Sequence, residues 1–330
     1  MSSLEVTIRP MEERDLPGVA QIEAGVFTDW YRTYRRETEA LAERTLQELK
    51  YATSIDPEGN LVAVALDGAT AGFIFSRTWG SVGWFGTFGV PTQFQGLGVG
   101  GKLMARAVER LRSRAAVVGL ETMPESGANI GLYARAGFAL GHPTIVLELS
   151  LIHEAGRLRG AAPGDVVVWN GEDAWSRKRL LSGMREVSDA VWPGLDYSAE
   201  INAYRRHGIG ETLVSLGRGG RVAGFAVLRT APFREHDTSG RAYVHILALR
   251  PGDGEQGALD ALLGQIWVRA TRVGFSTVYT GVNGQHYEAV RMLLSRGFKA
   301  RRAAIRMIDK GAPAPAFLPQ SAIHCARWAG

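Results

Sequence analysis

The sequence has very little cysteine, and its histidines form no metal-binding pattern. Cys325 is the single cysteine among 330 residues, which excludes an internal disulfide and any cysteine-rich zinc site. The seven histidines are dispersed, without an H-x-x-x-H or H-E-x-x-H pair. We therefore predict no metal site, and a reducing, cytoplasmic compartment.

Long apolar runs and charge clusters are also missing. The chain starts with the polar stretch MSSLEVTIRP, and no segment approaches the roughly 18 apolar residues that cross a bilayer. The formal net charge is +5, but Lys and Arg are scattered rather than arranged in a stripe. These absences argue against a membrane or nucleic-acid partner.

What remains is an ordinary globular composition, 45% hydrophobic and 22% charged, in a chain long enough for two domains of roughly 150 residues. In the first half, hydrophobic periodicity predicts the element order β-α-α-β-β-β-α-β-α-β. The predicted strands are 6–10, 60–66, 71–79, 82–90, 116–123 and 144–150. The first predicted helix begins at 15, and the other three span 35–51, 102–113 and 129–136.

Short sequences of the first half recur at matching places in the second. The tripeptide AGF at 71–73 is echoed at 223–225, and the dipeptide GF at 137–138 is echoed 160 residues later, at 297–298. Recurrence within the same string of elements indicates a tandem duplication. The predicted units are an N-terminal domain (1–152), a second, degenerate copy (164–312) and an extended C-terminal tail (313–330).

The glycine-rich stretch QGLGVGGK, residues 95–102, fits three anion-binding patterns. Its spacing is partly that of a P-loop, but Leu103 follows Lys102 where a magnesium-binding Ser or Thr is needed. It also fits the dinucleotide fingerprint G-x-G-x-x-G, with Glu121 at nearly the required distance. That fingerprint usually opens its domain, whereas this stretch follows four strands and two helices. A plain glycine-rich turn before a helix is a further interpretation.

The third pattern, Q-x-x-G-x-G, agrees with its surroundings. The stretch VPTQFQGLGVGGKLM at 90–104 resembles the acetyl-CoA loop of the GNAT (general control-related N-acetyltransferase) superfamily. The segment LETMPESGANIGLYARAGF at 120–138 is similar to the second signature of that superfamily, L-E-V followed by L-Y-x-x-x-G-F. The resemblance is strong over about 5–150 and mostly architectural over about 164–310. It implies an α/β (α+β) class with two tandem GNAT folds, each a mixed, mostly antiparallel central sheet flanked by helices.

The resemblance also implies acetyl-CoA as acyl donor and assigns roles to residues. Tyr133 stands where the family places its general acid, and Glu121 where one branch places its base, with Glu125 as a substitute. A core position for Tyr133, a solvent-facing Glu121 and a helix-capping role for Asn129 are the structural alternatives. The predicted cofactor-binding residues are Phe88, Gly89, Val90, Gln95, Gly96, Leu97, Gly98, Val99, Gly100, Gly101, Lys102, Asn129 and Tyr133.

The second copy lacks the equivalent residues. Leu293 and Gly281 occupy the positions of Tyr133 and Glu121, and acidic Asp253 and Glu255 fall where phosphates would sit. We therefore predict an N-acetyltransferase whose N-terminal copy moves an acetyl group to a primary amine by direct attack. A non-catalytic acyl-CoA-binding sensor or scaffold is the alternative. The chain is expected to act as a monomer or homodimer, and the scaffold does not select the acceptor.

Overall fold

The computed structural model describes residues 4–152, 166–252, 255–311 and 322–328. In these ranges the helices are α1 Leu16–Arg35, α2 Leu46–Ile55, α3 Val99–Arg112, α4 Gly127–Arg135, α5 Ala174–Val191, α6 Ser198–Arg206, α7 Glu255–Val273 and α8 Tyr287–Ser295. The strands are β1 Val6–Pro10, β2 Leu61–Ala65, β3 Thr70–Trp79, β4 Val82–Gly89, β5 Val117–Thr122, β6 Phe138–Ser150, β7 Val166–Val168, β8 Gly210–Leu216, β9 Val222–Arg229, β10 Arg241–Leu249, β11 Thr277–Asn283, β12 Lys299–Asp309 and β13 His324–Ala326.

All of these strands belong to one sheet. Their order is β1-β2-β3-β4-β5-β12-β6-β11-β10-β9-β8-β7, and β13 pairs with β10. The pairs β4–β5 and β10–β11 are parallel, and the other neighbours are antiparallel. The predicted class, a mixed and mostly antiparallel sheet flanked by helices, is confirmed.

In each half, three sequential strands are followed by a helix, a strand, a second helix and a final strand. After α4 and α8, Gly137 and Gly297 turn the chain with φ of +96° and +93°, a left-handed conformation that glycine adopts without strain. The echoed GF dipeptide therefore marks the same turn in each half.

The final strands of the halves are exchanged. β12, from the second half, pairs with β5, while β6, from the first half, pairs with β11. The two exchanged strands also pair with each other along most of their length. A continuous sheet thus joins the halves, and residues of the second half lie directly beside the centre of the first.

The second predicted helix is present, but its predicted bounds, 35–51, are wrong. α1 continues to Arg35 and ends where Arg36 adopts a left-handed φ of +56°. A new helix, α2, begins only at Leu46, and the Thr45 side chain caps it by accepting from the Glu48 amide. The last strand of the first half is longer than predicted, because pairing with β12 extends it back to Phe138.

The described part of the tail is buried. β13 adds to β10, and Trp328 packs its ring against Trp79, Trp84 and Trp192 with centroid distances of 5.6, 4.9 and 5.6 Å. Of the tail predicted from 313, the structure describes only residues 322–328. None of the described helices is long and apolar enough to cross a membrane.

Candidate active site

A cleft opens in the first half where two parallel strands separate. β4 and β5 pair from Val82–Val117 as far as Phe85–Leu120, and the pairing then stops although both strands continue. The ends of parallel strands at such a separation leave backbone groups free for a ligand.

A bulge in β4 accompanies this separation. Opposite β3, Ile74 pairs with Phe88 and Ser76 pairs with Phe85, so two residues of β4 face a single residue of β3. An extra residue bends the bulged strand and increases its twist. The bend carries the end of β4 away from β5 and toward the glycine loop.

The glycine loop leads directly into α3. Gly96 and Gly98 have φ of +75° and +81°, and Gly98 is the N-cap of α3 without a side-chain cap. The side-chain amide of Gln95 donates a hydrogen bond to the Val90 carbonyl at 2.9 Å, which links the first residue of the loop to the residue after β4. The first turn of α3 contains no acidic residue. Uncapped amides at a helix start, next to small residues, form a favourable site for an anion.

The loop, the cleft and α4 enclose a cavity of about 770 Å³. It also contacts Trp30, Tyr34 and Phe85 of the aromatic residues near the cleft. Of the predicted cofactor-binding residues, those that line it are Phe88, Gly89, Val90, Gln95, Gly96, Gly98, Val99, Gly100, Gly101, Asn129 and Tyr133.

Two other predicted cofactor-binding residues, Leu97 and Lys102, make contacts with the N-terminal segment. The Lys102 ammonium donates to the Leu4 carbonyl at 2.9 Å, and the Leu97 carbonyl accepts from the Leu4 amide at 3.1 Å. Both contacts bind the N-terminal segment to the outside of the loop. Neither residue lines the cavity.

Tyr133 lines the cavity from α4 and is almost completely buried. Its ring contacts Phe85 edge to face, with centroids 5.9 Å apart. Burial raises the pKa of Tyr133 to about 12, so its hydroxyl keeps its proton at neutral pH. The residue is therefore both a packed aromatic and a hydroxyl donor at the cleft.

Glu121 lies on β5 just beyond the last paired residue and is fully buried, so it is not a solvent-facing strand residue. Its Oε1 accepts from Thr144 Oγ1 at 2.5 Å and from Arg306 Nη2 at 2.9 Å. Its Oε2 is buried and has no hydrogen-bond partner among the described residues. One carboxylate oxygen is thus anchored, and the other is unpaired within the buried side chain.

The structure also places Glu125, the predicted substitute base, and Asn129, for which a helix-capping role was the alternative. Glu125 forms an ion pair with Arg35 at 3.1 Å and does not line the cavity. Asn129 is not the cap of α4, because the Ser126 side chain accepts from the Asn129 amide as the helix begins. The side chain of Asn129 is left to line the cavity.

Sequence reasoning missed the partners of Glu121. Thr144 lies on β6 and Arg306 on β12, the two exchanged strands. The Arg306 guanidinium also lies over the rings of Trp84 and Trp328, 5.2 and 4.4 Å from their centroids. No local pattern identifies a partner 185 residues away.

The second half arranges the corresponding region differently. α7 begins at Glu255, four residues after Pro251, whereas α3 begins eight residues after Pro91. The structure does place Leu293 on α8 and Gly281 on β11, matching the positions of Tyr133 and Glu121. The predicted acidic residue Asp253 lies outside the described residues, as does the Glu255 side chain.

Comparison with protein families identifies the same region. Residues 26–138 match the family model for the acetyltransferase (GNAT) family. This match contains the glycine loop, the cleft and the Tyr133 helix. Comparison with curated proteins gives no significant match.

Solved structures resemble almost the whole chain. A Pyrococcus horikoshii protein provisionally described as an acetyltransferase is 17% identical, with a TM-score of 0.67 over 98% of this chain and 95% of that one. A GCN5-related N-acetyltransferase from Sphaerobacter thermophilus is 15% identical, with a TM-score of 0.58 over 93% and 96%. A tandem GNAT protein from the clavulanic acid biosynthesis pathway is 13% identical, with a TM-score of 0.58 over 94% and 100%. These similarities extend the shared fold to both halves.

Proposed function

Because the chain belongs to the GNAT superfamily of acetyltransferases through its first half, we propose that it transfers the acetyl group of acetyl-CoA to a primary amine by direct attack. The observation that carries this proposal is a single cavity that extends from the uncapped start of α3 to Tyr133 and Glu121. A donor site and two proton-handling side chains therefore share one cleft.

The residues of the loop fit coenzyme A. Gly98 and the glycines of the first α3 turn leave backbone amides accessible to a diphosphate, and a β-carbon at Gly100 would lie 3.1 Å from the Phe88 ring. The end of β4, no longer paired with β5, offers backbone groups to the pantetheine arm.

When bound, acetyl-CoA would supply an activated acyl group: the new N–C bond forms as the C–S bond breaks, so that a neutral amine yields an amide, the coenzyme A thiolate and one proton. Glu121 accepts the proton of the attacking amine at its unpaired Oε2, through a water molecule because this oxygen is buried. Tyr133 donates a hydrogen bond to the departing sulfur. Cys325 is completely buried and its pKa is raised to about 12, which opposes a covalent route through this thiol.

The test combines calorimetry with acetyl-CoA and a thiol-release assay on a panel of primary amines. For Glu121→Gln we expect retained acetyl-CoA binding and a loss of turnover of about a hundredfold or more, the usual range for a general base. Glu125→Gln, which changes a carboxylate outside the cavity, is the matched control. Acetyl-CoA binding without thiol release from any acceptor would instead favour the acyl-CoA sensor.

A further inference from the structure

A second cavity, of about 220 Å³, adjoins the first. Phe27, Thr87, Met123 and Arg327 line both, so the two volumes share a wall at the cleft. The second cavity is built from both halves of the chain. Its lining residues include none of the glycine loop, so it suits an acceptor rather than coenzyme A.

This second cavity has an unusual excess of positive charge. Two glutamates, Glu23 and Glu48, face it, and Glu200 lies just behind its wall. Six guanidinium groups line the same small volume: Arg44, Arg77, Arg229, Arg234, Arg302 and Arg327.

Two of the arginines are bound tightly by the glutamates. Arg234 holds Glu23 through two hydrogen bonds, of 2.9 and 2.8 Å, and Arg229 pairs with Glu48. These pairs neutralise charge and fix the wall, so they leave little capacity for another anion.

Two further arginines share carboxylates at longer distances. Arg44 Nε lies 3.5 Å from Glu23, and its Nη2 donates to Thr87 at 2.5 Å. Arg77 lies 3.5 Å from Glu200. Burial lowers the pKa of both arginines, consistent with cations that are incompletely compensated.

Arg302 and Arg327 have no ion-pair partner among the residues that the structure describes. The Arg327 Nε is buried and makes no hydrogen bond within that part of the chain. Arg302 is an exposed residue, although the protein around its guanidinium partly desolvates it. That desolvation, and then the charge of Arg327, lower the pKa of Arg302. An anion bound between Arg302 and Arg327 would offset the desolvation of their guanidinium groups and the repulsion between the two positive charges.

Resting on the proposed function, we propose that the acceptor is a primary amine carrying an anionic group, a carboxylate or a phosphate, which Arg302 and Arg327 bind in the second cavity. The amine then faces Glu121 in the first cavity. Arg327 lines both volumes. The substrate class follows from the charge of the cavity rather than from the transfer chemistry.

Matched acceptors test this assignment in the full-length protein. The pairs are 4-aminobutyrate with 4-aminobutanamide, and 3-aminopropyl phosphate with 3-aminopropanol, measured by thiol release at saturating acetyl-CoA. Within at least one pair, we expect kcat/KM to favour the anionic member about tenfold or more. Whether the carboxylate or the phosphate pair shows the larger ratio identifies the anion. Arg302→Gln and Arg327→Gln should remove the preference, whereas Arg301→Gln, which alters a surface pair with Glu148, should retain it.

A second readout requires no acetyl transfer. Succinate and inorganic phosphate, which lack an amine, should raise the Tm of the wild type and of Arg301→Gln, but not of the Arg302 or Arg327 variants. If neutral and anionic amines are acetylated equally well, this inference is overturned and the proposed function stands. If the anions stabilise the protein through Arg302 but no amine is acetylated, the proposed function is overturned, and with it the assignment of the site to an acceptor.

Discussion

Removal of the Tyr133 hydroxyl should slow the reaction without preventing acetyl-CoA binding. Tyr133→Phe keeps the ring that packs on Phe85 and deletes only the oxygen in the cavity. A packing role alone would leave the rate unchanged. The variant therefore separates the chemical function of Tyr133 from its place in the core.

The size of the effect follows from the pKa of the hydroxyl. At about 12, it lies roughly 3.5 pKa units above an ordinary thiol, so complete proton transfer to the departing thiolate would cost about 4.8 kcal/mol. Hydrogen-bond donation without full transfer is cheaper, and a bond to a charged group contributes about 1.5–3 kcal/mol. We therefore expect kcat to fall about ten- to 150-fold.

The assay is thiol release at saturating acetyl-CoA, with the acetyl-CoA Kd measured separately. Tyr34→Phe, a change at another cavity-lining tyrosine, is the control. Because the hydroxyl remains protonated well above neutrality, the ratio of wild-type to variant rates should be constant from about pH 6 to 9. An unchanged kcat, or a ratio that varies steeply across this range, would refute the proposed role.

Two further changes test the loop and the junction between the halves. Gly98→Ala should weaken acetyl-CoA binding about five- to thirtyfold, because the loop avoids the roughly 1–2 kcal/mol cost of a β-carbon at φ +81° by leaving the conformation that binds the diphosphate. Gly25→Ala, on the exposed side of α1, should leave calorimetric Kd values unchanged. Equal Kd values for both variants would contradict the loop geometry. Arg112 donates hydrogen bonds to Asp309 and so lowers the pKa of that carboxyl below its usual 3.8. Denaturant unfolding should therefore show Asp309→Asn less stable than wild type above about pH 3.8, and the difference should vanish as pH falls through the lower, folded-state pKa. A difference that persists at still lower pH would show that ionisation of Asp309 is not its cause.

The loop and its helix could be predicted because their signals are local. Glycines at 96 and 98 are needed where φ is positive, and the amphipathic pattern over 102–113 identifies α3, although the helix begins earlier, at Val99. The element order was predictable for the same reason. The helix predicted at 35–51 shows where local signals fail to give the bounds of an element. Its residues favour helix throughout, and the left-handed turn at Arg36 has no glycine or proline to signal it.

The exchange of final strands could not be predicted from local patterns. β5 requires an antiparallel neighbour of suitable length, and both β6 and β12 meet that requirement. The choice depends on pairing between residues separated by most of the chain, which periodicity does not encode. The partners of Glu121 were missed for the same reason, since Arg306 reaches it only through the exchanged strand.

The exchange explains why a second half without equivalents of Tyr133 and Glu121 can still contribute to the site. β12 places Arg306 opposite Glu121 in the register of the sheet, so the carboxylate is anchored by a residue of the other half. The same strand carries Arg302 to the second cavity. If each half had kept its own last strand, β5 would have β6 as its neighbour instead of β12, and neither arginine would lie on the strand beside it. Under the proposed function the second half is therefore part of the catalytic unit, with Arg306 holding the base and Arg302 the acceptor.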